Sequence, residues 1–170
     1  MAFYNAGKRD ILILCKFQNL DKIQAIQNRY YDLAGLVEPH IAVTFPFDSP
    51  LSDAELREQL CRVARGFHPF RIVCRGVSAP EEDPDLRFLN VVENRDRIQA
   101  LSDAIYHAIL PEHLEYREQF RYVPHIMLAN RPLDREIVLE DSFEMLVDSL
   151  YVERIGDNEE SIKLYEITLS

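Results

Sequence analysis

The chain reads as an α+β fold built mostly on antiparallel sheet. Three observations lead there. Period-two apolar runs mix with helical-period stripes, without the strict strand–helix alternation of a parallel sheet. No glycine-rich phosphate loop or dinucleotide fingerprint is present, and the chain holds only 5 Gly among 170 residues. The tripeptide Pro-His-Ile occurs twice, as Pro39-His40-Ile41 and Pro124-His125-Ile126, once in each half. With 9 Pro and 5 His, chance gives about 0.3 Pro-His pairs against ordinary composition. Two pairs with the same continuation therefore predict an internal repeat.

The elements follow in order. Asp10–Phe17, rich in Ile and Leu, is a first strand. Asp21, with Gln24 three residues on, caps a helix whose stripe is Ile23, Ile26, Tyr30 and Leu33, and Gly35 ends it. Ile41–Phe47 is the second strand. Ser52 and Glu55 make a capping box for a helix carrying Leu56, Leu60 and Val63, stopped by Gly66. Phe70–Val77 and Leu86–Glu93 are strands around the acidic turn Glu81–Asp85. Arg95–Leu110 is a helix with Ile98, Leu101, Ile105 and Ile109 on one face, closed near Pro111. Tyr122–Ala129 is the next strand. Beyond Pro132 the pattern weakens: a further helix is optional, Ile137–Leu139 is ambiguous, Phe143–Ile155 is extended, and Ile162–Leu169 is the closing strand.

Length fits one domain, or two small lobes sharing an interface, over residues 1–170. A formal charge of −10 repels polyanions, which excludes extended nucleic acid and leaves a small nucleotide or an RNA end as partner. The longest apolar run, near Ile11–Cys15, is far too short for a bilayer, and no secretory leader pattern precedes it, so no membrane is expected and a cytoplasmic location is. Cys15, Cys61 and Cys74 are odd in number and widely spaced, which fits reduced buried thiols. No metal-ligand spacing is visible, and neither metal nor cofactor is expected.

Alternation along the two motif strands places Ile41, Val43, Phe45 and Phe47 on one face, and Ile126 with Leu128 likewise. His40, Ala42 and Thr44 share the other face, as do His125, Met127 and Ala129, with Arg131 following if the strand persists. Both imidazoles point away from the core. One can act as base while the other acts as acid, the division that in-line attack on a phosphodiester needs. The remaining histidines carry no such pattern: His68 precedes Pro69 at a strand entrance, and His107 and His113 lie near a helix end. Phe120 and Tyr122, just before the second motif, are either core or a stacking surface for a base.

The phrases Glu38–Phe47, EPHIAVTFPF, and Tyr122–Arg131, YVPHIMLANR, resemble the motif surroundings of the 2H phosphoesterase superfamily, which includes the RNA 2′,3′-cyclic phosphodiesterases also called 2′-5′ RNA ligases. The closing strands around Ser149–Val152 and Tyr165–Leu169 are similar too. The resemblance covers nearly the whole chain. It implies two antiparallel-sheet lobes related by a pseudo-two-fold, with helices outside and a cleft between. It also implies metal-independent cleavage of a small phosphodiester, with a 2′,3′-cyclic phosphate of a nucleoside or RNA end as the substrate class. His40 and His125 match the family's catalytic histidines. Ala42 and Met127 stand where the family has Thr or Ser, whose hydroxyls bind phosphate. Thr44 and Arg131 are the candidates to replace them, and Tyr122 is a third substrate-binding candidate. The lost hydroxyls leave a second reading, a weakly active or non-catalytic nucleotide-binding protein on the same fold.

Overall fold

The computed structural model describes residues 5–170. Eight strands form one antiparallel sheet in the order β6-β3-β4-β5-β2-β1-β7-β8. They are β1 (Arg9–Leu14), β2 (His40–Ala42), β3 (Phe70–Ser78), β4 (Arg87–Glu93), β5 (His125–Ala129), β6 (Phe143–Val147), β7 (Ser149–Ile155) and β8 (Ser161–Thr168). Four helices accompany them: α1 (Leu20–Tyr30), α2 (Asp53–Ala64), α3 (Arg95–Ile109) and the short α4 (Leu114–Gln119), with a 3₁₀ turn at Pro111–His113 before the last. The α+β class and its antiparallel sheet are as the sequence predicts. Two separate sheets are not formed, because β2 and β5 pair at Ile41↔Ile126 and join the four-stranded halves into one.

That sheet cannot be flat. β6 lies at one edge and β7 next to the other, yet only Asp148 separates them in sequence. A single residue carries the chain about 7 Å at most between its flanking Cα atoms. The sheet therefore bends round until its β6 edge comes beside the β1–β7 side. Side chains on both sides of this closure touch: Phe17 and Phe143 meet edge to face at 5.5 Å, and the Lys16 backbone N–H donates to the Met145 sulfur at 3.4 Å. Phe143–Ile155 is accordingly two strands that break at Asp148, not one extended run.

The core is contiguous and takes residues from every major element, including Ile23 of α1, Leu56 and Leu60 of α2, and Ile98, Leu101 and Ile105 of α3, all fully buried. Ser52 caps α2 as its sequence predicts, accepting from the Glu55 N–H at 3.1 Å. α1 differs. It begins at Leu20 after Asn19, so Asp21 sits inside the first turn, where its charge suits the helix dipole. Residues 130–142 contain no regular element, so neither the optional helix nor a strand at Ile137–Leu139 forms. Among the described residues no helix is long and apolar enough to cross a membrane.

Asp10 and Glu153 oppose each other across β1 and β7, at 9% and 4% exposure. Burial, then the Asp10–Glu153 hydrogen bond, pushes the Asp10 carboxyl well above its usual 3.8. A carboxyl with a raised folded-state pKa contributes stability that is complete below its unfolded pKa and lost as pH rises through the folded value. Asp10→Asn keeps a hydrogen-bond donor toward Glu153 and removes the charge. We expect it to raise Tm by about 2–4 °C at pH 8, corresponding to about 1 kcal/mol, with the gain fading toward pH 4. A gain of equal size at both pH values in thermal melts would assign it to something other than this ionisation.

Candidate functional site

The two motif strands share one backbone pair, Ile41↔Ile126. Antiparallel register then sets Ala42 opposite His125 and Met127 opposite His40, with Ile41 and Ile126 turned into the core at 0% exposure. Two rows of side chains cross the half-buried outer face. One runs Asn90, His125, Ala42, Leu12 and Tyr151, and the other Phe88, Met127, His40 and Leu14. The histidines are diagonal cross-strand neighbours, a relation that separates their strand positions by about 7–8 Å. The predicted pair thus meets on one face of one seam.

Both rings are held the same way. His40 Nδ1–H donates to the Glu38 carbonyl at 2.8 Å, and His125 Nδ1–H donates to the Val123 carbonyl at 2.7 Å. A carbonyl can only accept, so the proton of each neutral ring sits on Nδ1 and the lone pair on Nε2. Each contact reaches back two residues across the motif proline, so the repeat in sequence becomes a repeat in ring orientation. The surroundings then diverge. His125 stacks on Phe88 with centroids 3.9 Å apart at 26°. Burial lowers its pKa from the ordinary 6.5, the Val123 contact opposes this, and the nearby His40 lowers it further. Beside His40 lies a polar set: the Glu38 carboxylate accepts from Lys163 Nζ at 2.6 Å, and Lys16 and Lys163 both stand over the Tyr151 ring.

The seam is completed by side chains rather than by backbone. Tyr122 Oη donates to the Ala42 carbonyl at 2.7 Å, and Gln27 Nε2 donates to the Met127 carbonyl at 2.8 Å. These carbonyls belong to the residue two places after each motif histidine. Gln27 lies on α1, which leaves β1 yet packs on β5. Ser102 and Tyr106 lie on α3, which precedes β5 yet engages the chain after β2. Ser102 Oγ donates to the Val43 carbonyl at 2.7 Å, and Tyr106 Oη accepts from the Phe45 N–H at 2.9 Å. Each half sends a helix to hold the other half's motif strand.

Three sequence expectations change. β2 stops at Ala42 because the Val43 and Thr44 N–H groups both donate to the Ile11 carbonyl, at 2.8 and 3.2 Å. Two residues against one form a bulge, and alternation is lost. Thr44 consequently turns inward to 1% exposure, where its Oγ1 accepts from the Ile11 N–H at 3.1 Å. It does not share the histidine face, and its hydroxyl is committed. Phe45 takes a half-exposed place instead. Arg131 is the second change: β5 ends at Ala129, the Asn130 N–H donates to the Tyr30 carbonyl at 3.0 Å, and Arg131 pairs with Asp32. Two residues past the end of the strand, it has left the histidine face's register and its guanidinium is committed to that carboxylate. Tyr122 is the third. Its hydroxyl is spent on Ala42, and burial raises its pKa, so it positions the motif strand and presents no free polar group.

Phe88 and Asn90 are neighbours of His125 that the sequence did not single out. Only the β4–β5 register, with Phe88↔Met127 and Asn90↔His125, brings them there. Asn90 Nδ2 donates to the Gly76 carbonyl at 3.0 Å, and its Oδ1 accepts from Ser78 Oγ at 2.9 Å. These contacts leave one amide hydrogen uncommitted beside His125. The other histidines bind backbone carbonyls elsewhere: His68 that of Ser170, His107 that of Asp103, and His113 that of Asp48. Among the described residues no group of three or more His, Cys, Asp or Glu is arranged to hold a metal ion.

A profile of the 2′-5′ RNA ligase superfamily matches residues 15–159. The chain belongs to this family of 2H phosphoesterases. An RNA 2′,3′-cyclic phosphodiesterase of Thermotoga maritima is 25% identical over 159 residues, covering 91% of this chain and 81% of that protein. Among solved structures, a Thermus thermophilus protein superposes with a TM-score of 0.70 at 17% identity, over 95% of this chain and 97% of its own. Escherichia coli LigT, solved with 3′-AMP, gives 0.68 at 12% identity, over 96% and 98%. These likenesses are likenesses of fold.

Removing the Tyr122 hydroxyl leaves the Ala42 carbonyl without its partner. Tyr122→Phe is expected to cost about 1–3 kcal/mol, read as a lower midpoint in urea with an unchanged m-value. A variant as stable as the parent would mean that water or backbone closes the seam without Tyr122.

Proposed function

We propose that this member of the 2H phosphoesterases cleaves a small phosphodiester without a metal ion, with the 2′,3′-cyclic phosphate of a nucleoside or RNA end as substrate, and that His125 is the base and His40 the acid. The observation that carries the reading is the matched pair of Nδ1-anchored imidazoles on one face, each with Nε2 free for proton transfer. The lowered pKa of His125 favours the neutral form that a base must have. His125 Nε2 takes a proton from water as the water oxygen bonds to phosphorus. The ring P–O bond opposite breaks, and the proton on His40 Nε2 passes to the leaving ribose oxygen. The product is a monoester, and exchange of protons with solvent restores both rings. Asn90 offers the spare amide hydrogen near His125, where the family motif would otherwise supply a hydroxyl. The cyclic phosphodiesterase activity of the Thermotoga relative and the 3′-AMP held by the Escherichia coli neighbour support the substrate class.

Turnover of adenosine 2′,3′-cyclic phosphate tests this directly. His40→Ala and His125→Ala should each reduce kcat by about 10²–10⁴-fold and leave Tm within a few degrees, since both rings lie outside the core. EDTA should change nothing. The acidic limb of kcat/KM reports the free base, so it should fall below pH 6.5, the ordinary histidine value. An EDTA-sensitive rate restored by a divalent ion would sink the proposal.

Ala42 and Met127 favour a second reading, in which the site binds nucleotides but turns them over poorly. Loss of one oxyanion donor costs about 10²–10³-fold elsewhere. Ala42→Thr adds little volume beside His125. Under the weak-catalyst reading it should raise kcat more than it lowers KM. If the parent is already fast and Ala42→Thr gives no gain, Asn90 suffices and the second reading falls.

A further inference from the structure

The two histidines are anchored alike, but their cross-strand surroundings differ. β4 stands to β5 as β1 stands to β2, so the halves can be compared position by position. Asn90 lies opposite His125, and Phe88 opposite Met127. In the other half Leu14 lies opposite His40, and Leu12 opposite Ala42. The repeat keeps the histidine and changes both side chains that flank it. Two leucines stand in one half where an aromatic ring and an amide stand in the other.

Phe88 touches its histidine as no leucine can. Its ring centroid lies 3.9 Å from that of His125, with the planes at 26°. Phe88 is half-buried on the open face and takes no part in the hydrophobic core, so core packing does not call for an aromatic there. Pairing with β5 is irregular between Arg87 and Phe88, and such irregularities re-aim a side chain locally.

One hydrogen bond, from Nδ1–H to the Val123 carbonyl, sets the direction of the imidazole edge but lets the ring rock about it. A stacked ring closes one face and removes that freedom. It also takes water from that face, which disfavours the charged form. A ring face attracts an imidazolium too, by about 0.5–1 kcal/mol at exposed sites. Burial is the first cause of the lowered pKa of His125, and His40 of β2 adds to it, while β4 presents the uncharged Phe88 and Asn90.

We infer that Phe88 is a positioning residue of the proposed phosphodiesterase: its ring clamps the His125 imidazole in one plane, with Nε2 presented to the phosphate, and so makes His125 the base. This inference rests on the proposed function for the place of the phosphate and for the two proton transfers.

Phe88→Leu gives His125 the kind of neighbour that His40 has. Because no core contact is lost, Tm should stay within a few degrees. With adenosine 2′,3′-cyclic phosphate, the acidic limb of kcat/KM should move up toward 6.5. Below the limb, each half unit of that shift costs about threefold in rate. The alkaline limb, set by His40, should stay in place. Phe88→Tyr keeps a stacking face and should retain the parent profile. An equal loss at every pH, with both limbs unmoved, would leave Phe88 a structural residue and overturn the inference. So would movement of the alkaline limb alone. NMR titration of the histidine ring protons needs no turnover and reads the parent as well. In the parent, the His125 protons should be shifted upfield by the Phe88 ring and should titrate below 6.5. In Phe88→Leu the upfield shift should vanish and the titration should move up. No upfield shift in the parent, or a titration that moves down in the variant, would overturn the inference. If no cyclic phosphate is turned over yet the His125 signals behave as expected, the clamp stands and the catalytic reading fails.

Discussion

Everything at the site depends on a seam with almost no backbone in it. β2 and β5 share one residue pair, Ile41↔Ile126, far fewer than the seven joining β7 and β8. A fuller ladder would bring the strands together with no need of side chains. Here the open carbonyls beside the bridge are taken by Tyr122 and Gln27. Unpaired, each would cost about 1–3 kcal/mol as a buried acceptor. The arrangement also explains why polar Gln27 and Ser102 are nearly fully buried: they are the hydrogen-bonding ends of helices that cross from one half to hold the strand of the other. The halves are thereby interlocked. Separating them would break helix packing and uncap both motif strands.

The same economy orients the catalytic candidates. Each imidazole is anchored by a carbonyl two residues upstream, across a proline. Proline fixes φ and donates nothing, so the chain there turns in a set way and presents its preceding carbonyl toward the ring. The repeat Pro-His-Ile thus encodes more than a residue type. It encodes a tautomer and a direction. What the repeat leaves open is the environment, and the two copies diverge there. Phe88 stacks on His125, while Leu14 is the cross-strand neighbour of His40. Identical anchoring with unequal surroundings makes two equal groups chemically distinct, as the proposed division into base and acid requires.

Legibility of the sequence followed the range of the interactions. The α+β class, the Ser52 cap and the orientation of His40, Ala42, His125 and Met127 depend on local periodicity, and all were readable. Thr44 was misassigned because alternation holds only while a strand is regular. Its position is set by Ile11, which lies thirty-three residues away and whose carbonyl accepts twice. Arg131 failed for a related reason: strand length is fixed by partners, and β5 ends where α1 takes over its backbone. Nothing local marks Phe88 and Asn90, because an ordinary β-strand pattern says nothing about which side chain will lie beside which histidine. The break at Asp148 was hidden as well. One residue between two apolar runs carries no turn signal, and only closure of the sheet demands it.

The bulge that removes Thr44 from the histidine face also creates the aromatic flank. Had β2 continued to Phe47 in regular alternation, Phe45 would have pointed into the core and Thr44 outward. Slipping one residue at Val43–Thr44 exchanges them. Thr44 then closes the Ile11 N–H inside, and Phe45 emerges at the end of the seam, where it supports Tyr116 and Phe120. One irregularity thus turns a hydroxyl inward and leaves Phe45 half-buried against Tyr116, Phe120 and Tyr122. The family motif's hydroxyl positions are filled here by Ala42 and Met127, so polar contacts to a phosphate are fewer on this face than the motif implies. The same end of the seam also holds the carbonyl that orients His125: Val123 follows directly on Tyr122, whose hydroxyl closes the Ala42 carbonyl, so one short segment fixes both the strand and the ring.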